Sequence, residues 1–263
     1  MKHIVFYSGG IGSWAAAKRV VSLYGKENVI LLFTDTLIED EDLYRFIDET
    51  VNEIGVEYMR ITDGRTPFEV YKDVRFLGNS RIAPCSHKLK QEVAEKWIKE
   101  NYSPDECILY LGIDWTEEHR TKAPRKNWHP YRVEFPMCEE PYITKEEMLR
   151  ELEQLGIETP RLYKMGFAHN NCGGFCCRAG QGHFANLLKQ LPERFAEYES
   201  KEEEMRQFLG KDVAMMKKTK NKETFPYTLR QLREDIEAKQ KIDMTDIGGC
   251  GCFVTDALEK EDE

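Results

Sequence analysis

No apolar run in this chain approaches the ~20 residues that a helical membrane span needs, so no membrane partner is expected. Nor does a charged-then-apolar leader precede the first strand-like segment. Met1-Lys2-His3 runs directly into it, so no secretory signal is expected and the place of action reads as cytoplasmic. An excess of positive charge is also missing. Formal net charge is −9, which argues against indiscriminate nucleic-acid binding. Acids are themselves missing from one stretch: His119 to Arg132 reads HRTKAPRKNWHPYR, and its basic and aromatic residues leave a nucleic-acid acceptor open. There is no internal repeat. Structural disulfides are not expected either, because eight cysteines without an export signal are better explained by reduced thiols or metal ligation. What remains is a chain of 263 residues, 41% hydrophobic, enough for one large or two modest globular domains.

The most informative stretch is Ile4–Ala17, IVFYSGGIGSWAAA. Ile4–Tyr7 is an apolar run of the kind found in a buried parallel strand. Ser8-Gly9-Gly10-Ile11-Gly12-Ser13 is a turn of small residues, and Trp14 onward has helix-forming composition. Strand, glycine turn and helix in that order make an anion site. The glycines let backbone approach, and the free N–H groups of the first helical turn point at the guest. No Gly-Lys-Ser/Thr follows, so the turn is not a Walker loop. Two readings stay open. Gly10-x-Gly12-x-x-Ala15, with Asp35 at the end of the next apolar run, satisfies a loose dinucleotide-binding pattern. Ser8-Gly9-Gly10-x-x-Ser13 equally resembles the PP-loop of N-type ATP pyrophosphatases.

Beyond the turn, strand-like and helical segments alternate to about residue 160. Val29–Phe33, Val56–Ile61 and Cys107–Ile113 read as strands, and Glu41–Ile54 and Gln91–Asn101 as helices. Such alternation predicts an α/β fold, a Rossmann-like open and mostly parallel five-stranded sheet covered by helices. Its ligands then bind beyond the carboxyl ends of the strands. Ser8–Ser13, Thr34–Thr36 and Gly112–Trp115 all fall at such ends. Thr144–Leu155 is predicted as a helix opened by a capping box of Thr144 and Glu147. After Arg161 the character changes to a cysteine–glycine loop followed by charged helices. The expected organisation is a nucleotide-binding α/β domain over 1–160, a helical cysteine-rich metal-binding domain over 161–255, and a disordered acidic tail over 256–263.

Several segments, taken in order, resemble the PP-loop (N-type) ATP pyrophosphatase superfamily, in its phosphoadenylyl-sulfate (PAPS) reductase-like branch. Ser8-Gly9-Gly10-x-x-Ser13 resembles the PP-loop. Phe33-Thr34-Asp35-Thr36 is similar to the second strand end, where an aspartate meets the nucleoside. Cys85-Ser86-His87-Lys88-Leu89-Lys90 resembles a segment whose lysine faces phosphate. Gly112-Ile113-Asp114-Trp115-Thr116-Glu117-Glu118-His119-Arg120 resembles a phosphate-facing G-I-R motif, with Asp114 where the reductases have arginine. Pro141–Thr144, Leu162-Tyr163, Gly166 and Cys172-x-x-x-Cys176 follow the run into a cysteine pair. The resemblance implies an adenine nucleotide alpha-hydrolase-like fold and ATP with Mg2+ as cofactor. It implies Ser8, Gly9, Gly10, Gly12, Ser13, Thr34, Asp35 and Gly112 as nucleotide-binding residues, and Cys85, Lys90 and Arg120 as catalytic ones.

Cys172-Gly-Gly-Phe-Cys176-Cys177 and Cys250-Gly-Cys252 lie among glycines, which leave room for a cluster and free N–H groups to bond sulfur. If the intervening helices fold back, Cys172, Cys176, Cys250 and Cys252 become the ligands of one centre, a 4Fe–4S cluster or zinc. A mobile redox tail carrying Cys250 and Cys252 is the competing expectation. The expected activity is that of an ATP-dependent sulfurtransferase. It adenylates an acceptor with release of pyrophosphate and then inserts sulfur, with a nucleic-acid base or backbone among the acceptors. Cys85 serves as sulfur carrier or additional ligand, and sulfide or a donor protein supplies the sulfur. Thiol-dependent reduction of a sulfonucleotide and a non-catalytic nucleotide-sensing module are the alternatives. A homo-oligomer is compatible with either.

Overall fold

The computed structural model describes residues 1–220 and 222–249. Cys250, Cys252 and the expected acidic tail lie outside the described residues.

The element order is β1 (Lys2–Phe6), α1 (Ile11–Tyr24), β2 (Val29–Asp35), α2 (Glu41–Ile54), β3 (Glu57–Thr62) and α3 (Pro67–Asp73). A single turn, α4 (Pro84–Ser86), runs through a π-helical stretch (His87–Gln91) into α5 (Glu92–Asn101), followed by β4 (Cys107–Tyr110). A 3-10 segment (Trp115–Thr121) leads into α6 (Lys122–Asn127) and β5 (Arg132–Glu134). The remainder is α7 (Lys145–Gln154), α8 (Arg161–Lys164), α9 (Gln181–Gln190), α10 (Pro192–Leu209), a hairpin of β6 (Met216–Lys220) and β7 (Glu223–Tyr227), and α11 (Leu229–Glu237).

The first five strands form the expected open parallel sheet, in the order β3-β2-β1-β4-β5. Its central strands are buried on both faces, as their unbroken apolar runs require; every residue of β2 is buried. Alternation along the strands sorts the side chains. Val5, Tyr7, Leu31, Phe33 and Tyr110 face a core completed by α1, α2 and α7. Ile4, Phe6, Leu32, Leu109 and Leu111 face one completed by α5 and the Trp128–Tyr131 segment. The chain leaves β1 in one direction along the sheet and β4 in the other, so a crevice opens where the order reverses.

Capping follows the sequence. Thr144 accepts from the Glu147 N–H at 3.2 Å, and Glu147 accepts from the Thr144 N–H at 2.7 Å, closing the capping box that opens α7. The C-terminal part, expected as helical, also holds a hairpin, in which β6 and β7 pair antiparallel between α10 and α11. The inner end of that hairpin is anchored where Met216 faces Tyr227, both buried, and Lys218 donates to Asp235 at 2.7 Å. Beyond that pair the strands read Lys217-Lys218-Thr219-Lys220 and Glu223-Thr224-Phe225-Pro226, without the alternation of apolar residues that signals a strand. The core of this part takes in Phe68, Tyr71, Leu77 and Ala83 from the first half of the chain. The cysteine loop therefore packs directly on α3 and α4.

Candidate functional site

A cavity of about 190 Å3 opens at the point where the strand order reverses. Of the residues expected to bind nucleotide, Ser8, Gly10, Gly12, Ser13 and Gly112 line it, with Arg120 at its edge. Two glycines make the geometry. A Cβ on Gly12 would lie 2.8 Å from the Gly112 carbonyl oxygen, and one on Gly112 would lie 2.6 Å from the Gly12 backbone. The turn after β1 and the loop after β4 thus touch backbone to backbone, as only glycines permit. Gly10 caps α1 with no side chain of its own to bond the first turn, and the Ser13 hydroxyl folds back onto the Gly10 carbonyl at 2.8 Å. The Ile11 N–H donates to the Tyr163 hydroxyl at 3.1 Å. The mouth of α1 therefore faces the cavity with the positive end of its dipole, a setting that favours an anion.

The other expected residues take different places. Gly9 sits behind the turn against Leu43, and its carbonyl accepts from Asn170 at 3.0 Å. Thr34 is buried and lines a small adjoining cavity with Ser8 and Lys90. Asp35 is fully buried and is absent from the lining of the main cavity. It accepts from Tyr44 at 3.0 Å, Arg60 Nε at 2.9 Å and the Leu37 N–H at 2.9 Å, so its carboxylate fixes the end of β2. In the basic segment, Trp128 is buried against Phe6 with ring centroids 5.1 Å apart. Tyr131 is buried too and donates to the Tyr102 carbonyl at 2.8 Å. Both rings are core, not a surface for stacking bases.

Beside this cavity lies a second group. Cys85, Cys172, Cys176 and Cys177 line one small apolar cavity, together with Lys90. Cys85 and Cys177 stand with sulfurs 3.9 Å apart, and the Tyr71 hydroxyl donates to the Cys85 sulfur at 3.2 Å. Cys177 is held protonated by its hydrogen bond with Cys85 and by burial. Burial, then the two neighbouring sulfurs, likewise push the Tyr71 hydroxyl far up. Lys90, carried by the π-helical stretch, is buried, and its ammonium lies 3.7 Å from the Cys172 sulfur and 4.0 Å from Glu39.

The cysteine loop is tied down by residues that sequence reasoning did not single out. Cys172 has φ of 55°, and its N–H donates to buried Glu39. Arg194 donates to the Gly173 carbonyl at 2.6 Å and to Asp40 at 2.7 Å, while Arg161 grips Asp40 in a fork at 2.7 and 2.9 Å. Burial raises Asp40, but the two guanidinium groups outweigh it and hold the carboxyl below its usual value. The clue in the sequence was Ile38-Glu39-Asp40, acids directly after a strand end, which composition alone reads as solvated charge.

A third cavity, of about 40 Å3, adjoins both groups. It is lined by Ala168, His169, Asn171, Cys172 and Cys176, and by Gly248 and Gly249, the last described residues. His183 Nε2 bonds the Gly174 carbonyl at 2.7 Å, and burial keeps its imidazole neutral. Among the described residues no group of three or more histidine, cysteine or acidic side chains is arranged to hold a metal ion. Two of the four expected ligands, Cys250 and Cys252, lie outside them.

Fold and cavity together define a class: an open parallel α/β protein with an anion-receiving turn at its topological switch point. No protein-family model matches the chain, and no curated protein matches it. Solved structures do. A PAPS reductase from Candida auris in a phosphate complex is 12% identical, with 64% of this chain and 79% of that one covered and a TM-score of 0.43. The U34-tRNA thiolase NcsA from Methanococcus maripaludis, with its 4Fe–4S cluster, is 19% identical, with coverage of 80% and 73% and a TM-score of 0.45. An NH3-dependent NAD synthetase from Campylobacter jejuni subsp. jejuni, in complex with nitrate, is 13% identical, with coverage of 80% and 87% and a TM-score of 0.40.

Proposed function

We propose that this protein is an ATP-using enzyme of the PP-loop type, in the PAPS reductase-like branch, that adenylates an acceptor and then inserts sulfur. One observation carries the reading. The anion-receiving turn and the thiol-lined cavity are joined by five consecutive residues, Ala168–Cys172, which line the first at one end and the second at the other. Phosphate chemistry and sulfur chemistry thus share a wall.

In this reading the Ser8–Ser13 turn and the first turn of α1 hold the nucleotide phosphates, and Arg120 and Lys145 supply charge. An acceptor oxygen attacks the α-phosphorus, the bond to the bridging oxygen breaks, and pyrophosphate leaves. Sulfide sulfur then attacks the activated carbon, the carbon–oxygen bond breaks, and AMP leaves. Lys90 donates to the Cys172 sulfur at 3.7 Å beside the route of sulfur, and Cys85 lies in the same cavity. Thiolates flanked by Gly173 and Gly174 suit iron–sulfur or zinc ligation, with Cys172 and Cys176 supplying two ligands and Cys250 and Cys252 the others. When bound, such a centre supplies a site for sulfur or a structural closure of the C-terminal part.

The test incubates the protein with ATP, Mg2+, sulfide and bulk RNA or DNA, and follows pyrophosphate, AMP and nucleoside mass. AMP, pyrophosphate and a thiolated nucleoside are expected. A second reading is favoured by the Cys85–Cys177 pair, whose sulfurs are 3.9 Å apart. A thiolate attacks the sulfur of a sulfonucleotide, the nucleotide leaves, and the second thiol forms the disulfide as sulfite departs. Sulfite from a sulfonucleotide, with no pyrophosphate from ATP, replaces the first reading by this one. ATP binding with neither product makes the chain a nucleotide-sensing module.

A further inference from the structure

Tyr163 has no place in the reading above, yet its hydroxyl stands in the anion-receiving turn. The first turn of a helix offers N–H groups that the helix itself cannot bond, and these are what an anion meets there. In α1 their partners can be followed one by one. The Ser13 and Trp14 N–H groups both donate to the Gly10 carbonyl, at 3.1 and 3.2 Å. The Gly12 N–H has no partner among the described residues. The Ile11 N–H is spent on a side chain, the Tyr163 hydroxyl at 3.1 Å. That hydroxyl lies 3.5 Å from the point a Cβ on Gly10 would occupy, and Ser8 Oγ lies 3.6 Å from the same point. Tyr163 lines the nucleotide cavity together with Ser8, Gly10 and Ile11. A phosphate that reaches the Ile11 N–H therefore comes to the place the hydroxyl holds.

The fold builds this contact from several sides. α8 is pinned at its start, where the Arg161 N–H donates to Asp42 at 2.6 Å and the Arg161 guanidinium grips Asp40. The Tyr163 ring packs on the core beneath α1 and α7. The Lys145 ammonium lies 4.2 Å from the centre of that ring and donates to the Ala168 carbonyl at 2.9 Å. With backbone and ring both held, the hydroxyl is delivered to Ile11. It is also a contact that an anion should win. A hydrogen bond between neutral groups is roughly half as strong as one to a charged oxygen, and the helix dipole favours the anion further.

We propose that the Tyr163 hydroxyl is an internal competitor for the nucleotide phosphates. It holds the Ile11 N–H in the structure, and a phosphate oxygen takes its place when nucleotide binds. The proposal rests on the reading of the turn as an ATP site. It makes Tyr163 a positioning residue that sets the affinity of the turn, with no part in the chemistry itself.

Tyr163→Phe tests this, because it keeps the ring over Lys145 and removes the hydroxyl. Calorimetry on the full chain with ATP and Mg2+ should find the variant binding about fivefold tighter than the wild type, since the phosphates no longer displace a hydrogen bond of ordinary worth. Its melting temperature without nucleotide should be slightly lower, because the Ile11 N–H has lost its partner. The two opposite signs distinguish a competitor from a brace: a residue that only braces the turn weakens binding when it is cut back. Weaker ATP binding in Tyr163→Phe would make the hydroxyl a phosphate ligand and overturn the proposal. Equal binding would overturn it as well, because the Ile11 N–H then takes no part. Either result leaves the ATP site standing. If neither protein binds ATP, the functional reading fails and takes this one with it.

Discussion

At the scale of single residues, the cavity depends on side chains that are missing. Gly112 and Gly12 approach each other so closely that an added methyl has nowhere to go except into backbone. Gly112→Ala is therefore expected to lower stability by about 1–3 kcal/mol, the usual cost of overpacking, and to weaken ATP binding by displacing the turn. Gly10 offers the contrast. A Cβ there meets only ordinary contacts at 3.5 to 3.7 Å, but it points among the polar atoms over the turn. Gly10→Ala should keep its melting temperature and still bind ATP more weakly. Denaturant melts paired with calorimetry separate the two. Equal stability of both variants and the wild type would show that the glycine contact is not needed. These glycines were legible in the sequence as a turn. The contact between them was not, because it joins two loops that are distant along the chain.

At the scale of elements, the loop after β2 and the cysteine loop act as one unit. Asp40 is the hub, since it caps α2 through the Asp42 N–H at 3.0 Å and binds both Arg161 and Arg194. Removing one partner of a buried ion pair leaves the others uncompensated, so Asp40→Asn is expected to cost about 3 kcal/mol at neutral pH. The sign with pH follows from the depressed carboxyl. Its contribution is present above the ordinary value of 3.8 and is lost as pH falls through the lower value of the folded state. The acid-induced loss of stability should accordingly be smaller in Asp40→Asn than in the wild type, measured by urea melts between neutral and acid pH. Identical pH profiles would remove Asp40 from this role. The strands and the capped helices were readable in advance because their apolar periods are local. The hub was not, because its three charged residues come from separate elements that only the fold brings together. The hairpin of β6 and β7 was hidden for a related reason, as tertiary contact at Met216 and Tyr227, not a local pattern, sets it.

At the scale of the whole molecule, the question is what holds the C-terminal part against the sheet. Its apolar core includes Phe68, Tyr71 and Leu77 from the first half, so part of the answer is ordinary packing. The cysteine loop lies at the same junction. Cys172 and Cys176 line the cavity that Gly248 and Gly249 also reach, so the described chain ends beside two of the expected ligands. Cys107 is a different kind of cysteine, buried in β4, with burial pushing its thiol up to about 11. If a metal centre closes this part, its binding energy is folding energy. Protein purified without oxygen should then carry iron or zinc, with visible thiolate-to-iron absorbance distinguishing the first. Cys172→Ser and Cys176→Ser should each lower the metal content and the melting temperature, and Cys107→Ala should leave the metal content unchanged. Chelation should reproduce the effect of the two serine variants. A metal-free protein that melts cooperatively, and whose melting is unmoved by either variant or by chelator, would leave packing alone as the closure. The cysteines of the loop would then be free for the redox chemistry of the second reading.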